Sequence, residues 1–113
     1  MSETFGFDGH EIPFRPGQSI GAALWVAGER ALRTTRIASA PRGLFCGIGV
    51  CFDCLVVIDG VPDQRACVTP AAAGLEVRTQ HGAQAPPSPI ALRQVVGERL
   101  RADVVVIGGG PAG

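Results

Sequence analysis

Four cysteines are the residues of this chain whose type and spacing are best suited to chemistry. Three of them, Cys46, Cys51 and Cys54, fall within nine residues of a glycine-rich stretch, and Cys67 follows separately. Thiolates bind soft metal ions and metal–sulfide clusters, and paired thiols also exchange electrons as disulfides. The cysteines therefore predict either a metal centre or a redox centre.

The gaps between the cysteines favour one kind of centre. Four, two and twelve residues separate Cys46, Cys51, Cys54 and Cys67 in turn. A C-x4-C-x2-C group followed by a distant fourth cysteine is the spacing that binds a plant-type [2Fe–2S] cluster, in which thiolates hold two irons. We therefore predict that all four cysteines are ligands of one [2Fe–2S] cluster.

The residues around the cysteines fit the charge of such a cluster. Two ferric ions, two sulfides and four thiolates make a dianion, which needs backbone N–H donors and nearby cations once it leaves bulk water. Gly43, Gly47 and Gly49 let the chain turn N–H groups toward sulfur, because glycine adopts positive φ at little steric cost. Arg42 and Arg65 flank the first and last ligands and are predicted to offset part of the negative charge.

Three other interpretations of the cysteines remain open. A structural zinc site would use the same thiolates, although such sites usually place them in two separated pairs. A dithiol oxidoreductase would use the segment Cys51–Cys54 alone and leave two cysteines unexplained. Unrelated buried thiols would not be expected to show this spacing. The main alternative function is thus a zinc-stabilised interaction module without a redox role.

Other side chains near the cysteines allow more than one role. His10 and His81 are predicted to be surface residues, not ligands of a Rieske-type cluster. Asp53 is predicted to be a solvated acid, with tuning of the reduction potential or contact with a partner as the alternatives. The loop is also apolar, and its side chains are predicted to shield the cluster, to form a docking surface, or both. The apolar loop residues are Leu44, Phe45, Ile48, Val50 and Phe52.

The elements before the loop follow from hydrophobic periodicity. Loose alternation from Thr4 to Phe14, broken at Asp8-Gly9, predicts a β-hairpin. Apolar residues at helical spacing predict a helix over Ile20–Arg30 with Ser19 as its N-cap. The segment Leu32–Ile37 is predicted to be a short strand or extended segment.

Further strands are predicted after an irregular loop over residues 38–54. The apolar run Leu55–Ile58 predicts a strand that ends in the turn Asp59-Gly60. The chain then returns over Val61–Cys67 as an irregular strand, because a proline interrupts it. Alternation over Gly74–Thr79 predicts a last strand. The fold class expected is α+β, with a small mixed sheet packed on one helix.

The cysteine segments also resemble a known family. Gly43–Cys54, Asp59-Gly60 and Arg65–Pro70 are similar to the iron–sulfur subunits of hydrogen cyanide synthase and of bacterial proline, hydroxyproline and opine dehydrogenases, and to the N-terminal part of the sarcosine oxidase alpha subunit. The resemblance covers roughly residues 4–82. It implies a β-grasp ferredoxin-like fold and the same four cysteine ligands. The gap before Cys67 is also nearer to this family than to photosynthetic ferredoxins.

Beyond this region the composition changes and predicts separate units. Residues 1–83 are predicted to be the [2Fe–2S] domain, and residues 84–101 a proline-rich linker with a short helix from Ser88 to Arg101. Residues 102–113 are predicted to be the truncated first strand and glycine-rich turn of a flavin-binding domain.

The evidence for a flavin-binding unit is a glycine pattern. The hydrophobic segment Asp103–Ile107 predicts a strand, and Gly108, Gly110 and Gly113 follow it with the spacing of a dinucleotide-binding fingerprint. The helix and the acidic residue that complete such a site are not within the chain. FAD is therefore expected only in the missing remainder of the chain or in a partner subunit.

The family resemblance implies a function in electron transfer. It implies a module that passes single electrons between the flavin of an FAD-dependent amine or amino-acid dehydrogenase and an acceptor, with a possible indirect link to quinone. FAD-dependent oxidoreductase subunits are the expected partners. No substrate site is expected on this chain.

Composition and charge argue against other functions. Ten arginines balance ten acids and lysine is absent, so the chain lacks the basic excess typical of nucleic-acid binding. No run of about 18 apolar residues is present, which predicts no membrane span. The N-terminus does not look like a secretory signal, and a cytoplasmic location is expected.

Overall fold

A computed structural model describes residues 3–84 and 97–112 of the chain. Within the first of these ranges, short strands form a mixed sheet together with one α-helix. The predicted α+β class is therefore confirmed. The elements in chain order are β1 (Glu3–Phe7), β2 (His10–Phe14), α1 (Ile20–Val26), β3 (Arg33–Thr34), β4 (Pro41–Arg42), β5 (Leu55–Ile58), β6 (Val61–Arg65) and β7 (Glu76–His81).

Strand β7 joins the rest of the sheet together. It pairs in parallel with β1 and with β3, and antiparallel with β5. Three antiparallel hairpins, β1–β2, β3–β4 and β5–β6, attach to it through these strands. Because the hairpins are local and β7 comes last, the long-range pairings of the sheet depend on this strand.

Two tight turns close the β1–β2 and β5–β6 hairpins as predicted. Asp8 and Gly9 have φ of 47° and 84°, and Asp59 and Gly60 have φ of 47° and 80°. Positive φ at both central residues is typical of type I′ turns, which match the twist of the flanking strands. Each aspartate side chain also accepts a backbone N–H of β7 at 2.9 Å. The turns thereby connect their hairpins to the central strand.

Helix α1 begins as predicted but ends earlier. The Ser19 side chain accepts the N–H of Ala22 at 3.1 Å, as an N-cap does. The helix stops at Val26, because Gly28 adopts φ of 92° and the Glu29 N–H donates back to the Leu24 carbonyl at 2.9 Å. This is a Schellman C-cap, so the predicted extension to Arg30 is wrong.

No helix in the described ranges is long and apolar enough to cross a membrane.

Other boundaries differ by a few residues from those predicted. β3 covers two residues of the predicted segment Leu32–Ile37, and β4 falls inside the stretch predicted as irregular loop. β6 ends at Arg65, because the chain turns there and the Thr69 N–H donates to its carbonyl. β7 begins and ends two residues later than predicted. Two-residue strands lack a detectable period, which explains why β4 was not foreseen.

The core is formed by α1 and the sheet strands and includes one cysteine. Cys54 is only 2% exposed and packs within this core. The buried residues of this core cluster are Phe5, Phe7, Ile12, Phe14, Ile20, Ala23, Leu24, Leu32, Cys54, Val56, Ala66 and Val77. One predicted ligand is therefore anchored in the hydrophobic interior.

The C-terminal range does not form the predicted strand. Val104–Ile107 are 69–94% exposed, and no described residue pairs with Asp103–Ile107. An isolated strand has no partner for its backbone N–H and C=O groups, which explains the difference. Residues 97–101 are not helical, whereas the rest of the predicted linker helix and Gly113 lie outside the described residues.

Candidate metal centre

The three clustered cysteines lie on the loop between β4 and β5, residues 43–54, here named the ligand loop. At its start, Gly43 packs so closely on Arg30 that a Cβ at Gly43 would collide with the Arg30 carbonyl oxygen. At its end, buried Cys54 directly precedes β5. The ligand loop is thus fixed at both ends by the body of the domain.

The β5–β6 hairpin brings the last two cysteines together. Twelve residues separate Cys54 from Cys67, and the hairpin accounts for nearly all of them. At its open end the Ala66 N–H donates to the Cys54 carbonyl at 3.0 Å, and the Cys67 N–H donates to the Cys54 sulfur at 3.4 Å. A local hairpin therefore determines the spacing of this cysteine pair.

The first turn of α1 supports Cys67 from behind. The Gly21 N–H donates to the Ala66 carbonyl, and the Ile20 N–H donates to the Thr69 carbonyl, each at 2.8 Å. A Cβ at Gly21 would lie only 3.1 Å from the Cys67 Cα. The segment that carries Cys67 is therefore held against the helix by backbone contacts.

The four thiols form two pairs. Cys51 is close enough to Cys46 to affect the pKa of its thiol, and Cys54 is close enough to affect that of Cys67; none is in a disulfide. In residues 3–84 and 97–112, no three or more His, Cys, Asp or Glu side chains group around a position for a single ion. Two thiol pairs suit a [2Fe–2S] cluster, because each of its two irons takes two thiolates.

Backbone N–H groups surround the Cys46 sulfur. The Ile48 N–H donates to it at 3.4 Å. This hydrogen bond, followed by those from Cys51 and Val50, lowers the pKa of Cys46 from 9.0 to about 6. Hydrogen bonds to a thiolate stabilise its charged form. The ligand loop is thus arranged to hold negative charge on sulfur, as the predicted dianion requires.

The pair of Cys54 and Cys67 has the opposite electrostatics. Burial raises the pKa of the Cys67 thiol. A hydrogen bond with Cys54 and charge repulsion between the two sulfurs raise this pKa further. Two adjacent thiolates repel one another unless a cation lies between them. The donor set therefore fits a metal centre, since iron supplies that positive charge.

Arg65 of β6 contacts Gly49 of the ligand loop, and both are residues that the sequence analysis singled out. Gly47 and Gly49 have φ of 69° and 81°, the conformation that glycine adopts readily. The Arg65 side chain donates to the Gly49 carbonyl at 2.6 Å, and its guanidinium lies 5.0 Å from the centre of the Phe52 ring. Arg65 therefore lies against the ligand loop, and its role in offsetting the cluster charge stays a prediction.

Arg42, His10 and His81 lie outside the ligand loop. Arg42 is exposed on β4 and donates to its neighbouring carbonyl, Pro41, at 3.0 Å. A role of Arg42 beside the cluster stays a prediction. His10 and His81 are both exposed, on β2 and β7.

Asp53 is not the solvated acid that was predicted. Its carboxylate pairs with Arg33 of β3 at 2.7 Å, and its carbonyl accepts a second bond from the same guanidinium at 3.0 Å. The side chains of Arg33 and Asp53 are 20% and 29% exposed. Arg33 is a residue that sequence reasoning missed, because an ion pair across 20 positions leaves no local pattern.

Leu44 packs against the core, whereas the other apolar side chains of the ligand loop are exposed. Phe45 is 80% exposed and Ile48 is 70% exposed. Val50, Phe52 and, from the segment after Cys67, Val68 are also exposed. Side chains with this much exposure shield the thiols little. The interpretation of these side chains as a docking surface is therefore the better supported one. The five exposed residues, Phe45, Ile48, Val50, Phe52 and Val68, are here named the apolar rim.

Comparisons with known proteins agree with this geometry. Residues 3–82 match the family model of the 2Fe-2S iron-sulfur cluster binding domain. The hydrogen cyanide synthase subunit HcnA of Pseudomonas aeruginosa is 38% identical over 77 residues, which cover 68% of this chain and 73% of that protein.

Solved structures show the same fold as part of larger proteins. L-proline dehydrogenase from P. horikoshii superposes with a TM-score of 0.65 at 20% identity, over 79% of this chain and 17% of that one. An NAD+-reducing [NiFe]-hydrogenase superposes with a TM-score of 0.54 at 33% identity, over 70% of this chain and 31% of that one. This chain thus spans less than a third of either structure.

The paired thiols, the N–H donors around sulfur and the matched family model lead to one assignment. The chain belongs to the 2Fe-2S iron-sulfur cluster binding domain family, with a ferredoxin-like fold, a [2Fe–2S] cluster as its cofactor and a role in electron transfer.

Proposed function

We propose that Cys46, Cys51, Cys54 and Cys67 are the ligands of the [2Fe–2S] cluster. Cys46 and Cys51 would bind one iron, and Cys54 and Cys67 the other. The proximity of Cys51 to Cys46 and of Cys54 to Cys67 supports this ligand set. When bound, the cluster supplies a site that accepts one electron at a time. The ligand loop contributes the N–H donors that stabilise charge on sulfur.

We also propose where these electrons come from and go. The domain passes single electrons between the flavin of an FAD-dependent amine or amino-acid dehydrogenase and an acceptor. The relation to a subunit of hydrogen cyanide synthase supports a role as one component of a larger enzyme. The spacing of Gly108, Gly110 and Gly113 after a hydrophobic segment supports a flavin-containing neighbour.

The observation that carries the proposal is the exposed apolar rim around the cysteines. Electron tunnelling slows steeply with distance, so a partner's flavin must approach the ligand loop closely. Apolar side chains that are exposed in the free domain gain free energy when a partner buries them. The rim therefore supports a contact surface that coincides with the route of the electrons.

This proposal predicts a kinetic effect of changing the rim. The double variant Phe45→Ser and Ile48→Ser is expected to keep the visible spectrum of the cluster. At flavoprotein concentrations below saturation, transfer from reduced flavin should slow about tenfold, since a loss of about 1.4 kcal/mol of interface free energy weakens binding tenfold. Stopped-flow absorbance in the presence of the amine substrate measures this rate.

A matched control removes equally exposed apolar side chains elsewhere. Val26 and Ile37 are 77% and 89% exposed and lie outside the ligand loop. The double variant Val26→Ser and Ile37→Ser should transfer electrons within twofold of the unchanged protein. Equal rates for the rim variant and this control would argue against docking through the rim.

A further inference from the structure

The contact between Arg33 and Asp53 joins two distant parts of the chain. Arg33 belongs to the short strand β3, and Asp53 lies between two of the proposed ligands. One guanidinium donates from Nε to the Asp53 carbonyl at 3.0 Å and from Nη2 to its carboxylate at 2.7 Å. A forked donor that binds both the backbone carbonyl and the side chain of one residue restricts the conformation of that residue.

Asp53, the residue held in this way, also bonds to a neighbouring sulfur. The Asp53 N–H donates to the Cys51 sulfur at 3.4 Å. Phe52, between these two residues, has φ of 59°, a left-handed conformation that is unfavourable for a residue with a side chain. Such a conformation persists only where surrounding contacts impose it. Arg33 on one side and Arg65 near the Phe52 ring on the other supply those contacts.

We propose that Arg33 is a positioning residue that sets the reduction potential of the cluster through Asp53. It holds the Asp53 N–H on the Cys51 sulfur, and it neutralises a carboxylate that would otherwise face the reduced cluster. Both effects favour the more negative, reduced state, because hydrogen bonds to sulfur and nearby positive charge stabilise added electrons. The inference rests on the proposed ligand set.

The test compares three variants by redox titration of the cluster. Arg33→Gln should lower the equilibrium constant for reduction by about tenfold, which is 59 mV for a one-electron couple. Asp53→Asn should raise it, because the asparagine oxygen still accepts from Arg33 while the negative charge is gone. The control is Arg78→Gln. Arg78 is an exposed residue of β7 with no described bond to the ligand loop. This variant loses one positive charge, as Arg33→Gln does, and should leave the equilibrium constant for reduction unchanged.

The opposite signs separate this role from a purely structural one. Loosening of the ligand loop alone would shift the reduction potentials of the Arg33→Gln and Asp53→Asn variants in the same direction. A potential of Arg33→Gln equal to that of Arg78→Gln would overturn the inference. If the Arg33→Gln variant does not assemble a cluster, the reduction potential of the Asp53→Asn variant is the deciding measurement. A raised potential supports the inference, and an unchanged one overturns it. Failure of the unchanged protein to bind a cluster would instead refute the proposed ligand set.

Discussion

Replacing Cys67 with serine is expected to remove the [2Fe–2S] cluster and most of the domain's stability. Cys67 lies in the turn after β6, which is bonded to the first turn of α1 and to Cys54. Because the ligands converge only in the folded chain, the free energy of cluster binding adds to that of folding. A domain of this size is stable by only about 5–15 kcal/mol, so this loss is a large fraction.

The Cys67→Ser prediction is checked by the visible absorbance of the purified protein and by its thermal unfolding. Ala72→Ser serves as a control, since Ala72 is an exposed residue in the segment that follows. It should retain the absorbance and the unfolding temperature of the unchanged protein. Full cluster absorbance in Cys67→Ser would contradict the proposed ligand set.

The second large effect is expected for Gly43→Ala. A Cβ at Gly43 would overlap the Arg30 carbonyl oxygen, which belongs to the backbone and has little freedom to move. Overpacking typically costs about 1–3 kcal/mol, and a clash with backbone should reach or exceed the upper end. Because the ligand loop starts at Gly43, we expect a stability loss of about 3 kcal/mol and a much lower cluster content.

The control for Gly43→Ala separates the clash from the loss of glycine itself. Gly60 has φ of 80° and no atoms within 4 Å of a built Cβ. Gly60→Ala should therefore lose only the conformational term, about 1 kcal/mol, with normal cluster content. Chemical denaturation and iron content measure both variants. Equal losses in the two variants would show that the close approach at Gly43 is unimportant.

The sequence predicts the parts of this fold that depend on local physics. The two Asp-Gly turns and the Ser19 cap were identified correctly, because each is specified by residues next to it. The twelve-residue gap before Cys67 also has a local explanation in the β5–β6 hairpin. Both the fold class and the cofactor could therefore be predicted before any coordinates were known.

What the sequence does not reveal are contacts between distant segments. The Arg33–Asp53 ion pair joins β3 to the ligand loop, and no motif relates the two residues. The close packing of Gly43 on Arg30 is likewise visible only in three dimensions, although Gly43 itself was singled out as a flexible position. The end of α1 at Val26 could have been predicted from Gly28, since glycine after a helical run is a known C-cap.

The segment Asp103–Ile107 shows a different limit. Its composition is that of a buried strand, yet in the described part of the chain it lies exposed and unpaired. A strand needs neighbours for its backbone hydrogen bonds, so composition alone cannot form one. Its assignment to the start of a flavin-binding domain therefore stays a proposal that rests on the glycine spacing.

Analysis of iron and acid-labile sulfide in the purified protein is the most direct test of the central claim. About two irons and two sulfides per chain are expected, with a red-brown colour that bleaches when dithionite is added. A colourless zinc protein, or one without iron and sulfide even after anaerobic reconstitution, would contradict the presence of a [2Fe–2S] cluster on these cysteines.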